Sequence, residues 1–356
     1  AAHGAGKLAR WAYARKQSHR LIFSPLKGIT MMENNETTPG METAGRLPRM
    51  RSAGISPQIL PYLALVSGVL ALTMSGLFVR WANAPGTVTS FYRMAVAALV
   101  LTPVVLRPGA RQKLPSGKLL LLPLLAGLFT ALDHGAWSTS IGLTRVGTAT
   151  LLNNVAPLWV ALFAALFWRE RLSPRFWLGL ALTLTGVAIV FGNDLLLQPH
   201  FGGGDLLALV SSLFYCAYFL VTQRARQSVA TLPYVWLVTV ASGIFLLTWN
   251  VVTGKPLSGY PPLTYLIFLG AGLFSQIIGY FSVSYALGHL PASTVSPSML
   301  AQPVLTAVLA IPLAGEMLLP GQWLGAAVVL AGIYLVNISH QADPGAAVEA
   351  RNERAK

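Results

Sequence analysis

Residues 157–186 read PLWVALFAALFWRERLSPRFWLGLALTLTG, and residues 303–332 read PVLTAVLAIPLAGEMLLPGQWLGAAVVLAG. A shift of 146 residues lays one on the other without a gap. Pro157 then falls on Pro303, Glu170 on Glu316, Pro174 on Pro320, Trp177 on Trp323, Gly179 on Gly325 and Gly186 on Gly332. Shared apolar composition aligns leucine with leucine by chance, but not proline, glutamate, tryptophan and glycine together. The chain is therefore a duplicated unit.

Outward from these stretches the sequence is one apolar block after another. Over half of the 356 residues are apolar and only 10% are charged, against about a quarter charged in soluble domains. One soluble core could not hide that much apolar surface, so lipid is the solvent. Ten spans are expected, at about 59–79, 87–106, 119–141, 147–167, 174–191, 204–222, 233–252, 263–285, 291–313 and 321–338, each near the length that crosses about 30 Å of hydrocarbon. The fold expected is an all-α polytopic membrane protein of two five-helix repeats, residues 57–192 and 204–338, followed by a tail at 339–356. Five is odd, so the second repeat crosses in the opposite sense. Such inverted repeats are typical of secondary transporters.

The charge pattern orients the chain. The net charge is +14, but the basic residues sit at the ends of apolar blocks rather than on one face, which argues against a nucleic-acid partner. With the N-terminus inside, the inner segments hold 21 Lys and Arg, and the outer loops hold only Arg80, Arg145 and Lys255. Leaving out the N-terminal stretch, the count is still 12 to 3. Both termini are expected to be cytoplasmic by the positive-inside rule. Residues 1–56 are basic and poor in apolar runs and are expected to lie outside the fold. They read either as sequence upstream of a true start at Met31, Met32, Met41 or Met50, or as an Arg-rich targeting segment. Cys216 is the single cysteine, which excludes a disulfide framework, a cysteine zinc site and a redox pair.

The turn Arg169-Glu170-Arg171-Leu172-Ser173-Pro174 also reads as helix punctuation, with Ser173 as N-cap and Pro174 in the first turn. With other stretches it resembles the EamA family of the drug/metabolite transporter superfamily. In the first half these are Phe91-Tyr92-Arg93, Thr148-Ala149-Thr150-Leu151-Leu152 to Pro157, and Trp168 through Pro174. In the second they are Tyr285-Ala286-Leu287, Pro291-Ala292, Gln302-Pro303, Gly315-Glu316 and Gly332-Ile333-Tyr334-Leu335. The resemblance covers roughly residues 57–338. It implies a ten-helix bacterial inner-membrane transporter with a central cavity between its repeats and a small-molecule solute, such as an amino acid, metabolite or drug. It leaves solute, direction, coupling ion and oligomeric state open.

Polar residues inside spans are expensive, so each is a functional hypothesis. Counting about 1.5 Å per residue, Arg93, Asp133, His134, Asn153 and Asn154 all lie roughly 10 Å below the outer surface, on three different spans. The expectation is an Arg93–Asp133 ion pair with His134 beside it, lining a cavity for a polar or zwitterionic solute; protonation of Asp133 or His134 would couple transport to protons. The competing readings are a static structural pair, or an Arg93 that snorkels to the interface. Trp137 is one turn from Asp133. Tyr215 and Tyr218 sit mid-span, Gln276 and Tyr280 are four apart, and Ser298 and Gln302 are four apart and expected to share a face. Tyr280 is the repeat mate of His134. For each of these alone, helix packing is the simpler reading; together they suit a mixed polar and apolar ligand.

Pro291, Pro297, Pro303 and Pro312 in span nine, and Pro157 in span four, are expected to interrupt helix bonding and provide a hinge or free carbonyls. Gly179, Gly186, Gly325 and Gly332 are expected to allow close helix contact. No GxxxxGK[ST] loop is present, which excludes direct use of ATP through that motif. An intramembrane enzyme would need a clustered nucleophile and base or metal ligands such as HExxH, and a channel a ring of charge or a filter loop. The sequence shows neither pattern. The function expected is a secondary transporter without cofactor or metal, and not an enzyme.

Overall fold

The computed structural model describes residues 58–108, 114–144, 146–190, 202–314 and 319–341. The expectations for residues 1–56, for the Gly315-Glu316 turn and for most of the C-terminal tail lie outside the described residues. Everything regular among the described residues is helical. In chain order the first repeat contains α1 Leu60–Trp81, α2 Gly86–Val105, α3 Leu121–Ile141, α4 Val146–Asn153, α5 Ala156–Phe167 and α6 Pro174–Val190. The second contains α7 Gly203–Arg226, α8 Thr231–Val252, α9 Pro262–Gly270, a π-helical segment Ala271–Tyr280, α10 Phe281–Leu287, α11 Ala292–Ser298, α12 Ala301–Ala314 and α13 Pro320–Gln341. Eight segments are long and apolar enough to cross a membrane, with α4 and α5 forming one of them and α9 through α10 another. The other two apolar segments are the 17-residue α6 and the broken pair α11 and α12.

Burial is arranged as lipid requires. Leu99, Leu166 and Val252 are more than 70% exposed, while Ser211, Ser212, Thr239, Ser242, Asn250, Ser293 and Ser296 are fully buried. In water that distribution would be unfavourable. In hydrocarbon the outward leucines have an apolar solvent, and the small hydroxylated residues allow close packing and hydrogen bonds between helices.

The packing repeats itself across the two halves. α3 lies on α7, and its counterpart, the π segment with α10, lies on α1; α3 also lies on α8, as the π segment lies on α2. α4 and α5 contact α7, as α12 contacts α1. The equivalent helices α2 and α8 pack on each other, and so do α6 and α13.

The α6–α13 pair shows why its glycines stand where they do. A Cβ on Gly179 would meet the Gly332 carbonyl at 2.8 Å, and one on Gly186 would meet the Val329 amide at 2.6 Å and the Gly325 carbonyl at 2.8 Å. Gly179 thus opposes the mate of Gly186, and Gly186 opposes the mate of Gly179. The two helices run antiparallel in backbone contact, as expected of small residues at one helix interface.

The helix breaks also come in equivalent places. α4 ends at Asn153 and α5 starts at Ala156; α11 ends at Ser298 and α12 starts at Ala301. Shifted by 146, the two breaks agree to within a residue. Pro157 and Pro303 each follow a break, and neither can donate the i→i−4 bond that would carry the helix through. At the start of α6, the Phe176 amide donates to the Ser173 hydroxyl at 3.3 Å, so the Ser173-Pro174 reading as a helix start holds.

Candidate functional site

Four of the residues singled out from the sequence meet in one buried network. Arg93, on α2, is 5% exposed. Its Nη1 donates to the Ser75 hydroxyl of α1 at 2.8 Å, and its Nη2 to Nε2 of His134 on α3. A guanidinium has no acceptor, so His134 Nε2 must be the acceptor and the ring proton sits on Nδ1. That nitrogen lies 3.3 Å from Asp133 Oδ2, within ion-pair distance but too poorly aligned to form a hydrogen bond. The other carboxylate oxygen, Oδ1, accepts from the Asn153 amide at 2.8 Å, and the same amide donates to the Ser211 hydroxyl of α7 at 2.8 Å.

The expected direct Arg93–Asp133 pair is therefore corrected. Among the described residues no carboxylate lies within ion-pair distance of Arg93; a neutral imidazole stands between the two charges. The reason is helical geometry. Consecutive residues project about 100° apart, so when His134 faces α2, Asp133 faces the end of α4.

The second repeat supplies the other wall. The Arg93 guanidinium lies 5.6 Å from the Tyr280 ring centroid, a cation–π arrangement. Arg93 thus touches His134 and Tyr280, which occupy equivalent positions of the two repeats. Tyr280 closes the π segment, and Gly272 lets that segment approach α2 closely, since a Cβ there would meet Val96 Cγ1 at 2.5 Å. π turns are frequent at functional sites.

Behind Tyr280 the aromatic residues continue. Tyr218 meets Tyr280 edge-on at 5.8 Å and stacks with Tyr215 at 6.2 Å, and the Tyr215 hydroxyl lies against the Gln302 side chain. Tyr218 is 2% exposed and sits within the aromatic core. Gln276 turns to α8, donating to Thr239 at 3.4 Å.

Other expected residues lie apart from this network. Ser298 and Gln302 do not share one regular face, because the α11–α12 break falls between them. Ser298 donates to the Thr294 carbonyl and accepts from Asn337 of α13 at 3.2 Å. The half-buried Asn154 joins none of these bonds. Trp137 keeps its indole nitrogen buried and unpartnered, as do the Arg93 Nε and the Gln276 carbonyl oxygen.

Sequence reasoning missed Ser75, Ser211 and Thr239 as partners, and it read Glu170 only as punctuation. Glu170 in fact accepts a hydrogen bond from the Ser293 hydroxyl at 2.8 Å, between the α5–α6 turn and α11. Its repetition as Glu316 was the signal that could have raised it.

Fold and site together define a multi-span helical membrane protein with a charged cluster held between two repeats. The chain belongs to the EamA-like transporter family, whose profile matches residues 59–192 and again 202–338. An uncharacterized transporter of Clostridium kluyveri is 25% identical over 228 residues, covering 62% of this chain and 73% of that protein. The uncharacterized inner membrane transporter YedA of Escherichia coli is 25% identical over 65% of this chain and 72% of its own. A protein of Streptantibioticus cattleyicolor named "Probable terminal-alkyne amino-acid exporter" is 27% identical over 70% of this chain and 82% of its own. A solved crystal structure shares the fold with a TM-score of 0.67 at 17% identity, covering 79% of this chain and 98% of that one.

Proposed function

We propose that the protein is a ten-span secondary transporter exporting small polar or amphipathic metabolites, amino acids or related compounds, with the repeats inverted and both termini cytoplasmic. Access alternates as one repeat rocks against the other. The observation that carries this reading is the place of Arg93. A buried guanidinium bonded to His134 of one repeat and stacked on Tyr280 of the other sits where relative motion of the repeats would change its surroundings. The paired breaks at Asn154 and Met299 add hinges at the same level in both halves, and the antiparallel α6–α13 contact supports the inverted arrangement. The relative named "Probable terminal-alkyne amino-acid exporter" supports the solute class and the direction.

The solute is expected to contact Arg93, His134, Trp137, Asn153, Asn154, Tyr215, Gln276, Tyr280 and Gln302, with Asp133, Tyr218 and Ser298 supporting them. The test is flux of labelled amino acids and nucleosides into liposomes holding the full-length protein, with and without a proton gradient. Saturable flux is expected, reduced about tenfold or more by Asp133→Asn, which removes a charge from a buried network. Undiminished flux in that variant would reduce the network to a structural role.

A further inference from the structure

We infer that Arg93 is an open receptor for a carboxylate, and that the solutes recognised are monoanionic acids with an apolar or aromatic body, whether or not they carry an amino group. The inference rests on the central cluster being the solute site. It starts from a count of donors. A guanidinium has five N–H donors; one goes to Ser75 and one to His134, and the group also lies against the Tyr280 side chain. The Nε–H is buried and unpartnered, on a side chain 95% removed from solvent.

Buried arginines are ordinarily matched by a carboxylate, because an uncompensated interior charge is costly. Here the nearest acid, Asp133, has one oxygen taken by Asn153 and the other facing His134. It balances the charge at one remove and leaves the guanidinium free to take an acceptor. The match for a guanidinium edge is a planar carboxylate, bound through two parallel N–H···O bonds.

Charge fixes the valence of the ligand. Arg93 is the one basic residue buried within the spans among the described residues, and Asp133 already offsets part of it. With Asp133 already set against Arg93, a singly charged acid adds one negative charge to the site and a dianionic phosphate adds two, so the monoanion is the less costly ligand. The walls choose the body of the solute. Tyr280 covers the guanidinium, Tyr215 and Tyr218 continue the aromatic surface, and the unpartnered Trp137 indole lies one turn from Asp133 on α3. No acid stands among these residues as a dedicated partner for a solute ammonium, since both oxygens of Asp133 face protein groups. The amino group is therefore dispensable.

The experiment is a thermal-shift titration of the full-length protein in detergent with four matched probes: 3-phenylpropanoate, its amide, 3-phenylpropylamine and phenyl phosphate. The carboxylate is expected to bind at least about tenfold more tightly than the amide or the amine. Phenylalanine should bind within a few-fold of 3-phenylpropanoate, because it shares the carboxylate. Arg93→Lys keeps the charge but loses the fork, and should weaken the carboxylate about tenfold while leaving the amide unchanged. The comparison of acid with amide needs no variant, so misfolding of the variant cannot mimic the result. Equal binding of acid and amide, tightest binding by phenyl phosphate or the amine, or no binding by any probe would overturn the inference.

Liposome flux separates the two readings. Movement of amines or neutral solutes, without carboxylate selectivity, would sink the receptor and keep the transporter. Arg93-dependent carboxylate binding without flux of any solute would keep the receptor and sink alternating access.

Discussion

At the scale of single residues, the network shows how little freedom a buried charge leaves its neighbours. Asn153 is the one side chain that donates to Asp133 with good geometry, and it also holds Ser211. Asn153→Ala leaves a buried carboxylate oxygen without its donor and is expected to lower stability by about 1–3 kcal/mol. Asn153→Asp, which sets a second carboxylate against the first, should lower it further; denaturation in detergent micelles measures both. A Ser211→Ala loss as large as that of Asn153→Ala would show that the hydroxyl, not the carboxylate, is the important partner. Arg93, Asp133, His134 and Asn153 were legible in the sequence because charge and amide groups inside apolar runs have no cheap resting place. Ser75, Ser211 and Thr239 were not. A hydroxyl in a helix can satisfy itself on its own backbone, as Thr73 does on the Val69 carbonyl and Thr183 on that of Gly179, so its presence in a span carries no signal.

At the scale of elements, the breaks in spans four and nine were readable from Pro157 and Pro303, although Pro297, also expected to interrupt the bonding, lies inside α11; the close contact of α6 with α13 was readable from paired glycines. The π segment was not readable, because a π turn has no compositional signature and the residues Ala271–Tyr280 pattern as an ordinary apolar helix. Its register matters, since it carries Tyr280 to the guanidinium and brings Gly272 against α2. The glycine contact makes a sharp prediction. In Gly186→Ala the new methyl would lie 2.6 Å from the Val329 amide and 2.8 Å from the Gly325 carbonyl. These are backbone atoms that cannot step aside, so the helices must separate, at an expected loss of about 1–3 kcal/mol. Gly203→Ala, where nothing lies within 4 Å, is the control and should be neutral or slightly stabilising. Thermal melts of the two variants side by side decide it; equal melting would mean that α6 and α13 are not in backbone contact.

At the scale of the whole molecule, duplication explains why so few distinct contacts build so large a helical assembly. Most packings of one repeat on the other have an equivalent, the α5–α11 contact being an exception, and the helices that pack on their own equivalents, α2 with α8 and α6 with α13, form the seam. Antiparallel contact of equivalent helices is what a two-fold axis normal to both would produce. If both helices cross the bilayer, that axis lies in the membrane plane and the repeats are inverted. The proposition is testable with two residues from matching turns. Arg171 and Leu319 are both exposed and come from corresponding turns, since Leu319 is the mate of Ser173. Cys216 is buried and can be replaced by serine to give a cysteine-free background. In that background Arg171→Cys is expected to react with a membrane-impermeant maleimide only after the cells are opened, and Leu319→Cys in intact cells. The excess of Lys and Arg on the Arg171 side predicts the same orientation. Both cysteines reacting from one face would break the inverted arrangement and remove the symmetric hinge on which alternating access depends. Labelling from opposite faces with Leu319 inside would keep the inversion and reverse the orientation assigned to the termini.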